Sequence, residues 1–432
     1  MTVQMKQLSN GITLICETTT DDLAYIGIGF NVGSRDEHDP RYYGIAHCVE
    51  HMMFKSSQNR TTQQIALEMD KLGASNNAYT SADQTVYYTD FHIDDFSQVV
   101  EIMFDTLLHP LFKDEEFSIE KNVIHQEILM NLGDPEYHIR RLNTSVMFAD
   151  TSYEHPILGT WKSVSKLTHD DLQKFYEDNY TSNRCVISFV GKMTMAQFEK
   201  AIRTYCKEMR KGSDYHEPKF IYHQKTKNFS LAGIEQNNIT ILYNSICQHD
   251  RNYRKVRAAS RVLNNILAGG MSARLWKRIR EELGLVYGIQ ATQINMGKVD
   301  MEVIGCKSNK DPKFVIKEIN KVLEDLIKNG VTQEELNTAK RQFELTLMSR
   351  SKELNDLCLD RLSMFLSRGL QLDNERIRSL KAVQSVTEKD VISVAKKLLK
   401  DQGIIVVSPK AKKSFWSKLK NLFMKEKSND QY

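Results

Sequence analysis

Leu167-Thr168-His169-Asp170-Asp171-Leu172 and Val386-Thr387-Glu388-Lys389-Asp390-Val391 stand 219 residues apart. Each leads through a helical pattern into an apolar strand, Val186-Ile187 in the first case and Ile405-Val406 in the second. That offset is about half of a 432-residue chain, so the sequence reads as a duplication of one α+β unit. The expected fold is therefore α+β, with two homologous domains, each a mainly antiparallel sheet packed against helices. The polar stretch from Lys211 to Lys227 marks the boundary, giving domains over 1–215 and 216–409 and a tail over 410–432.

Working outward from the repeat, Ile26, Ile28, Phe30 and Val32 alternate with Gly27, Gly29, Asn31 and Gly33. The period of two predicts paired strands across 11–32 with one buried face. Thr61 with Gln64 is a capping-box helix start, and Gly73 fits its stop. Helical patterns cover about 94–108 and 114–131 in the first half, and 254–268, 311–329 and 332–354 in the second. Composition supports a folded chain: 41% of residues are hydrophobic, and only 7 are Pro. With 59 Lys plus Arg against 55 Asp plus Glu, no excess of charge points to nucleic acid as a partner. Seven cysteines without a Cys-x-x-Cys pair read as free thiols in a reducing compartment. Without a signal-like N-terminus, the expected location is cytoplasmic.

The chemistry concentrates in Gly44-Ile45-Ala46-His47-Cys48-Val49-Glu50-His51-Met52-Met53-Phe54. On a helix His47 and His51 share a face with Glu50 beside them, so two imidazoles and a carboxylate converge. The His-x-x-Glu-His order is the inverted zinc-peptidase motif. A catalytic zinc takes three protein ligands and keeps one position open. The helical stretch Glu115 to Met130 offers Glu120 and Glu127, two turns apart, as sources of the third ligand, with a solvated acidic face as the plain alternative. His125 is a rival that helical geometry turns away from the Glu120 and Glu127 face. All twelve histidines lie at or before His249, so the second half cannot repeat the two-histidine site, and one Zn2+ per chain is expected.

These residues resemble the pitrilysin family of zinc peptidases, closest to its mitochondrial processing peptidase-like branch and bacterial relatives. The resemblance implies zinc held by His47, His51 and Glu127, with Glu50 as general base and Glu120 orienting a ligand or helping the base. Water on such a zinc has its pKa lowered from about 15.7 towards about 7. Asn76-Asn77-Ala78-Tyr79-Thr80 is similar to the family's substrate-pairing strand, which makes Asn77 and Ala78, together with Phe54, substrate-binding candidates. In the second half Arg280 and Tyr287 match the family's Arg and Tyr that hold substrate and a developing oxyanion. The family encloses unfolded peptides in a chamber of twice as many homologous domains as this chain carries, which implies a dimer. A homodimer is the simplest form because one chain carries both sets of residues, with a heterodimer of related subunits as the other form. The expected function is a zinc-dependent endopeptidase cleaving unfolded peptides or short precursors, against the alternative of a non-catalytic scaffold subunit.

The tail carries seven Lys against Glu426 and Asp430, which places +5 there and leaves −1 of the total +4 for the remainder. Phe415, Trp416, Leu419, Leu422 and Phe423 recur among those lysines at helical spacing. Two readings follow: an amphipathic helix in peripheral contact with an anionic membrane, or a solubilising or packed appendage.

Overall fold

A computed structural model describes residues 3–213, 225–247, 251–296, 299–350, 354–369 and 375–410. Most of the boundary stretch, 214–224, and the tail 411–432 with its amphipathic pattern lie outside them. The first half builds a six-stranded sheet from β1 (Val3–Gln7), β2 (Thr13–Thr18), β3 (Leu23–Phe30), β4 (Ser75–Thr80), β5 (Thr85–His92) and β6 (Cys185–Gly191), in the spatial order β1-β2-β6-β3-β5-β4. The second half builds a five-stranded sheet from β7 (Thr226–Leu231), β8 (Asn237–Cys247), β9 (Ile289–Met296), β10 (Val299–Ser308) and β11 (Gln402–Pro409), in the order β7-β11-β8-β10-β9.

Setting β1 aside, the two sheets have one topology. Each has a parallel pair at one side, β2 with β6 and β7 with β11, followed by three antiparallel pairings that end on an edge strand, β4 or β9. The helices repeat as well. Asp114–Leu132 and Gln333–Arg350 begin 219 residues apart, as do Pro135–Met147 and Leu354–Arg368, and His169–Asn179 and Glu388–Lys400. The last pair starts identically, because Thr168 and Thr387 each accept the backbone N–H of the Asp three residues on, and that Asp caps the Thr in return. The fold is α+β with two homologous domains, as the repeat predicts.

Two local expectations fail. The strands within 11–32 are not partners, since β6 lies between β2 and β3 and bonds to both. Nor is only one face of β3 buried. A Cβ built on Gly29 would meet Leu362 at 2.5 Å and Leu366 at 2.7 Å, because the helix Leu354–Arg368 from the second half lies across the glycine face. The helix expected over 332–354 is described over Gln333–Arg350, residues 351–353 lie outside the described residues, and Leu354–Arg368 is helical.

The covering helix is one of an exchanged pair. Leu362 and Leu366 of the second half share a buried cluster with Ile15, Val86 and Val186 of the first sheet. Reciprocally, Ile139, Val146 and Met147 from the helix Pro135–Met147 of the first half pack with Leu242, Met301, Ile405 and Val407 of the second sheet. Each fully buried leucine contributes on the order of 2 kcal/mol, so the exchange ties the halves together through their cores. An ion pair reinforces it: Arg361 reaches the buried carboxylate of Glu17 on β2 at 2.6 Å.

Candidate metal centre

The helix Ile45–Met52 carries the His-x-x-Glu-His residues, and its N-terminus is anchored from outside the motif. Gly44 precedes it at φ +95°, where an added Cβ would lie 2.7 Å from the Leu158 carbonyl oxygen. The Glu37 carboxylate accepts the backbone N–H groups of Gly44 (2.9 Å) and Ala46 (3.0 Å), and His155 Nε2 lies 3.1 Å from it. Unpaired N–H groups at the helix start are thereby satisfied by the Glu37 carboxyl oxygens. Burial drives the Glu37 carboxyl up to about 7, against the lowering effect of His155 and the two N–H groups.

On this helix the His47 and His51 rings meet edge to face with centroids 4.5 Å apart. Glu127, on the helix Asp114–Leu132, places Oε2 at 3.6 Å from His47 Nε2 and 3.7 Å from His51 Nε2. One donor atom from each of His47, His51 and Glu127 lies within 4.8 Å of the others. Glu120, two turns earlier on the same helix, accepts a hydrogen bond from His51 Nδ1 at 2.8 Å and pairs with Lys55 at 2.5 Å. The remaining nitrogen of His51 is therefore Nε2, aimed at the convergence point. This carboxylate–imidazole arrangement is the one that fixes the tautomer of a metal-binding histidine. The donor set of two imidazoles and one carboxylate suits zinc with an open position.

At His47 the electrostatics agree with that use. Burial, then the neighbouring His51, push His47 down to about 3, leaving it a neutral imidazole with a free lone pair. Burial opposes a charge on His51, but the Glu120 hydrogen bond and the surrounding carboxylates raise it overall. Glu127 is raised by burial, partly offset by His51. Glu50 stands outside the ligand triad, and its Oε2 accepts the Thr80 hydroxyl at 2.6 Å. Burial raises its affinity for a proton, the direction a general base near neutrality needs.

The metal-side atoms open on a cavity of about 900 Å³ walled by both halves. His47, Glu50, His51 and Glu127 lie on one wall with Ala78, Tyr79 and Thr80 of the edge strand β4, and Thr240, Gln290 and Thr292 of the second sheet lie opposite. Phe54, expected to touch substrate, is absent from the lining. It packs on the first core beside Tyr87, because the chain has left the helix by then and turned inward. Asn77 is also off the cavity wall, with its side chain bonded to the Ala78 N–H, whereas Ala78 itself does line the wall. His125 is turned away, stacked on Trp161 at 3.9 Å. Arg280 and Tyr287 do meet each other, the guanidinium 4.9 Å from the ring centroid, but neither lines this cavity and Tyr287 is 85% exposed. Sequence reasoning assigned no role to Glu37, His155 or Thr80. Only Thr80 carried a signal, as the last residue of the Asn-Ala-Tyr-Thr stretch.

Residues 13–161 match the family described as Insulinase (Peptidase family M16), and residues 166–343 match the Peptidase M16 inactive domain. A protein named as an uncharacterized zinc protease in Rickettsia bellii is 31% identical over 294 residues, covering 66% of this chain and 68% of that one. The chain belongs to peptidase family M16. The zinc protease YmxG of Bacillus subtilis, also named as uncharacterized, is 28% identical over 409 residues, covering 93% of this chain and 97% of its own. Among solved structures, a Pseudomonas fluorescens protein described as a peptidase M16 inactive domain superposes with TM-score 0.84 at 20% identity, over 95% of this chain and 98% of that one. A Helicobacter pylori protease does so with TM-score 0.83 at 19% identity, over 94% and 99%. These two structures share the fold of this M16 chain.

Proposed function

We propose that this M16 chain is a zinc-dependent endopeptidase acting on unfolded peptides or short precursors. The observation that carries the proposal is the convergence of His47, His51 and Glu127, with Glu50 beside them, on a cavity bounded by an open sheet edge. Zinc bound there would supply a Lewis acid that polarises a carbonyl oxygen and acidifies a water. The chain's own groups do the rest. Glu120 holds His51 in the ligating tautomer, and Thr80 aims the Glu50 carboxylate. Glu50 takes a proton from the attacking water and returns it to the departing amine. The edge of β4 offers backbone groups to an extended peptide, so recognition rests on main-chain pairing and favours unfolded substrates.

The test is zinc content and peptide cleavage for the wild type and Glu50→Gln. We expect equal zinc in both and cleavage lowered by about 10²-fold or more in the variant. Zinc without any loss of cleavage would remove Glu50 from its role. A chain that takes up no zinc would favour the non-catalytic scaffold.

The same proposal includes a homodimer in the processing-peptidase manner, in which Arg280 and Tyr287 of one subunit serve the zinc centre of the other. Its support is that the pair is assembled, with Tyr287 exposed, yet absent from the cavity of its own chain. Light scattering should give a dimer, and mixing Glu50→Gln with Arg280→Ala chains should restore part of the activity each lacks. A monomer with full activity would overturn the arrangement. The described cysteines whose burial is defined are free and buried, which supports a reducing, cytoplasmic setting.

A further inference from the structure

The second half keeps the cleft that holds the metal-binding side chains in the first. Its helix Tyr253–Ala268 packs between the edge strand β9 and the helix Gln333–Arg350, as Ile45–Met52 packs between β4 and Asp114–Leu132. Arg257 and Arg261 stand one turn apart on it, with Ser260 between them, in the spacing of His47, Glu50 and His51. Facing them, Thr346 lies 219 residues beyond Glu127. Arg257, Arg261 and Thr346 all line one cavity of about 310 Å³. The repeat has thus exchanged metal-ligand atoms for guanidinium groups while retaining the space.

Among the described residues, the carboxylates around these cations are shared with other donors. Asp300 is shared by Arg257 at 3.2 Å, by Arg368 and by the Tyr253 hydroxyl at 2.9 Å. Glu302 is held by the amides of Asn264 and Gln293, each at 2.7 Å. Glu375 is held by Arg254 at 2.7 Å and Arg378 at 3.4 Å. Among the described residues Arg261 has no carboxylate partner, and its guanidinium lies 5.2 Å from the Phe343 ring centroid. Burial, then the adjacent Arg257, push its pKa down to about 9, the mark of a cation short of a counter-charge. Arg361 and Arg376 also line the cavity, against Asp360 and Glu375, so among the described lining residues positive charge is in excess even with Arg361 committed to Glu17.

We infer that this cleft is an oxyanion-binding site, taking a small ligand that carries a phosphate or carboxylate group against Arg261 and Arg257. The volume is at the lower end of small-molecule pockets, and a guanidinium fork matches either group with two parallel hydrogen bonds. The site is separate from the proposed peptidase chemistry and does not depend on it.

The test is calorimetric titration of the full-length protein with inorganic phosphate and with malonate, against chloride at matched ionic strength. Saturable binding of about one anion per chain is expected, with Arg261→Met weakened about tenfold or more and its zinc content unchanged. Preference for phosphate over malonate would assign a phosphate-bearing ligand, and the reverse a carboxylate. Arg376→Ala, at an exposed position on the cavity rim, should weaken binding a few-fold and serves if Arg261→Met does not fold. Binding no stronger than chloride, or affinity unchanged in the folded variants, would overturn the inference.

Discussion

Glu37 is a fully buried carboxyl whose neutral form the fold favours, and the pH dependence follows in sign. Its pKa rises from the ordinary 4.5 to about 7 on folding. The stability this gives is fully present below about 4.5 and is lost as pH rises through about 7, a change on the order of 3 kcal/mol. Urea unfolding of zinc-free wild type and Glu37→Gln should therefore show the wild type's relative stability falling between pH 4.5 and pH 7.5. A difference that stays flat or grows would refute the assignment. At Glu120 the expected effect is on metal: Glu120→Ala should weaken zinc binding about 10- to 100-fold in a chelator competition, because His51 loses the partner that fixes its tautomer. His47 and His51 were legible because helical spacing puts chemistry at short, countable intervals, whereas Glu127 was singled out from Glu120 only by the family resemblance. Glu37 was not legible, since it meets His155 across 117 intervening positions and the Gly44 and Ala46 N–H groups through backbone, which no side-chain pattern encodes.

Among the elements, β3 shows how a correct period can yield an incomplete reading. The alternation of Ile26, Ile28 and Phe30 with glycine is the signature of a half-buried strand, yet the glycines are there because a helix from the other half comes within 3.0 Å of a would-be Cβ on Gly27 and 2.5 Å on Gly29. Small residues on a strand face admit close packing as readily as they accompany solvent. Gly29→Ala should accordingly destabilise the protein by about 1–3 kcal/mol through overpacking. Leu362→Ala alone leaves a cavity costing about 2–5 kcal/mol. The double variant should fall short of the sum of the two losses, since each change relieves the other. Additive losses in denaturant unfolding would mean that the two side chains do not compete for one space. The repeated capping boxes at Thr168 and Thr387 were visible as a matched pair of segments because caps are local. The insertion of β6 between β2 and β3 was not, because strand patterns carry no information about which strand is the neighbour.

For the molecule as a whole, duplication was readable from one offset, but the exchange of helices between the copies was not, since helical periodicity does not say which sheet a helix will cover. Expression of residues 1–213 alone should give aggregated or molten protein, because Ile15, Val86 and Val186 lose the helix that shields them. A well-dispersed, cooperatively unfolding fragment would contradict this. The exchange also sets an order of events during synthesis. The strands of the first sheet are complete once Gly191 has left the ribosome, but the helix that closes their glycine face ends only at Arg368. The half bearing the histidines must therefore wait, partly open, while well over a hundred further residues are made. A truncated product cannot close the half that bears the histidines, so completion of that core is coupled to near-completion of the chain.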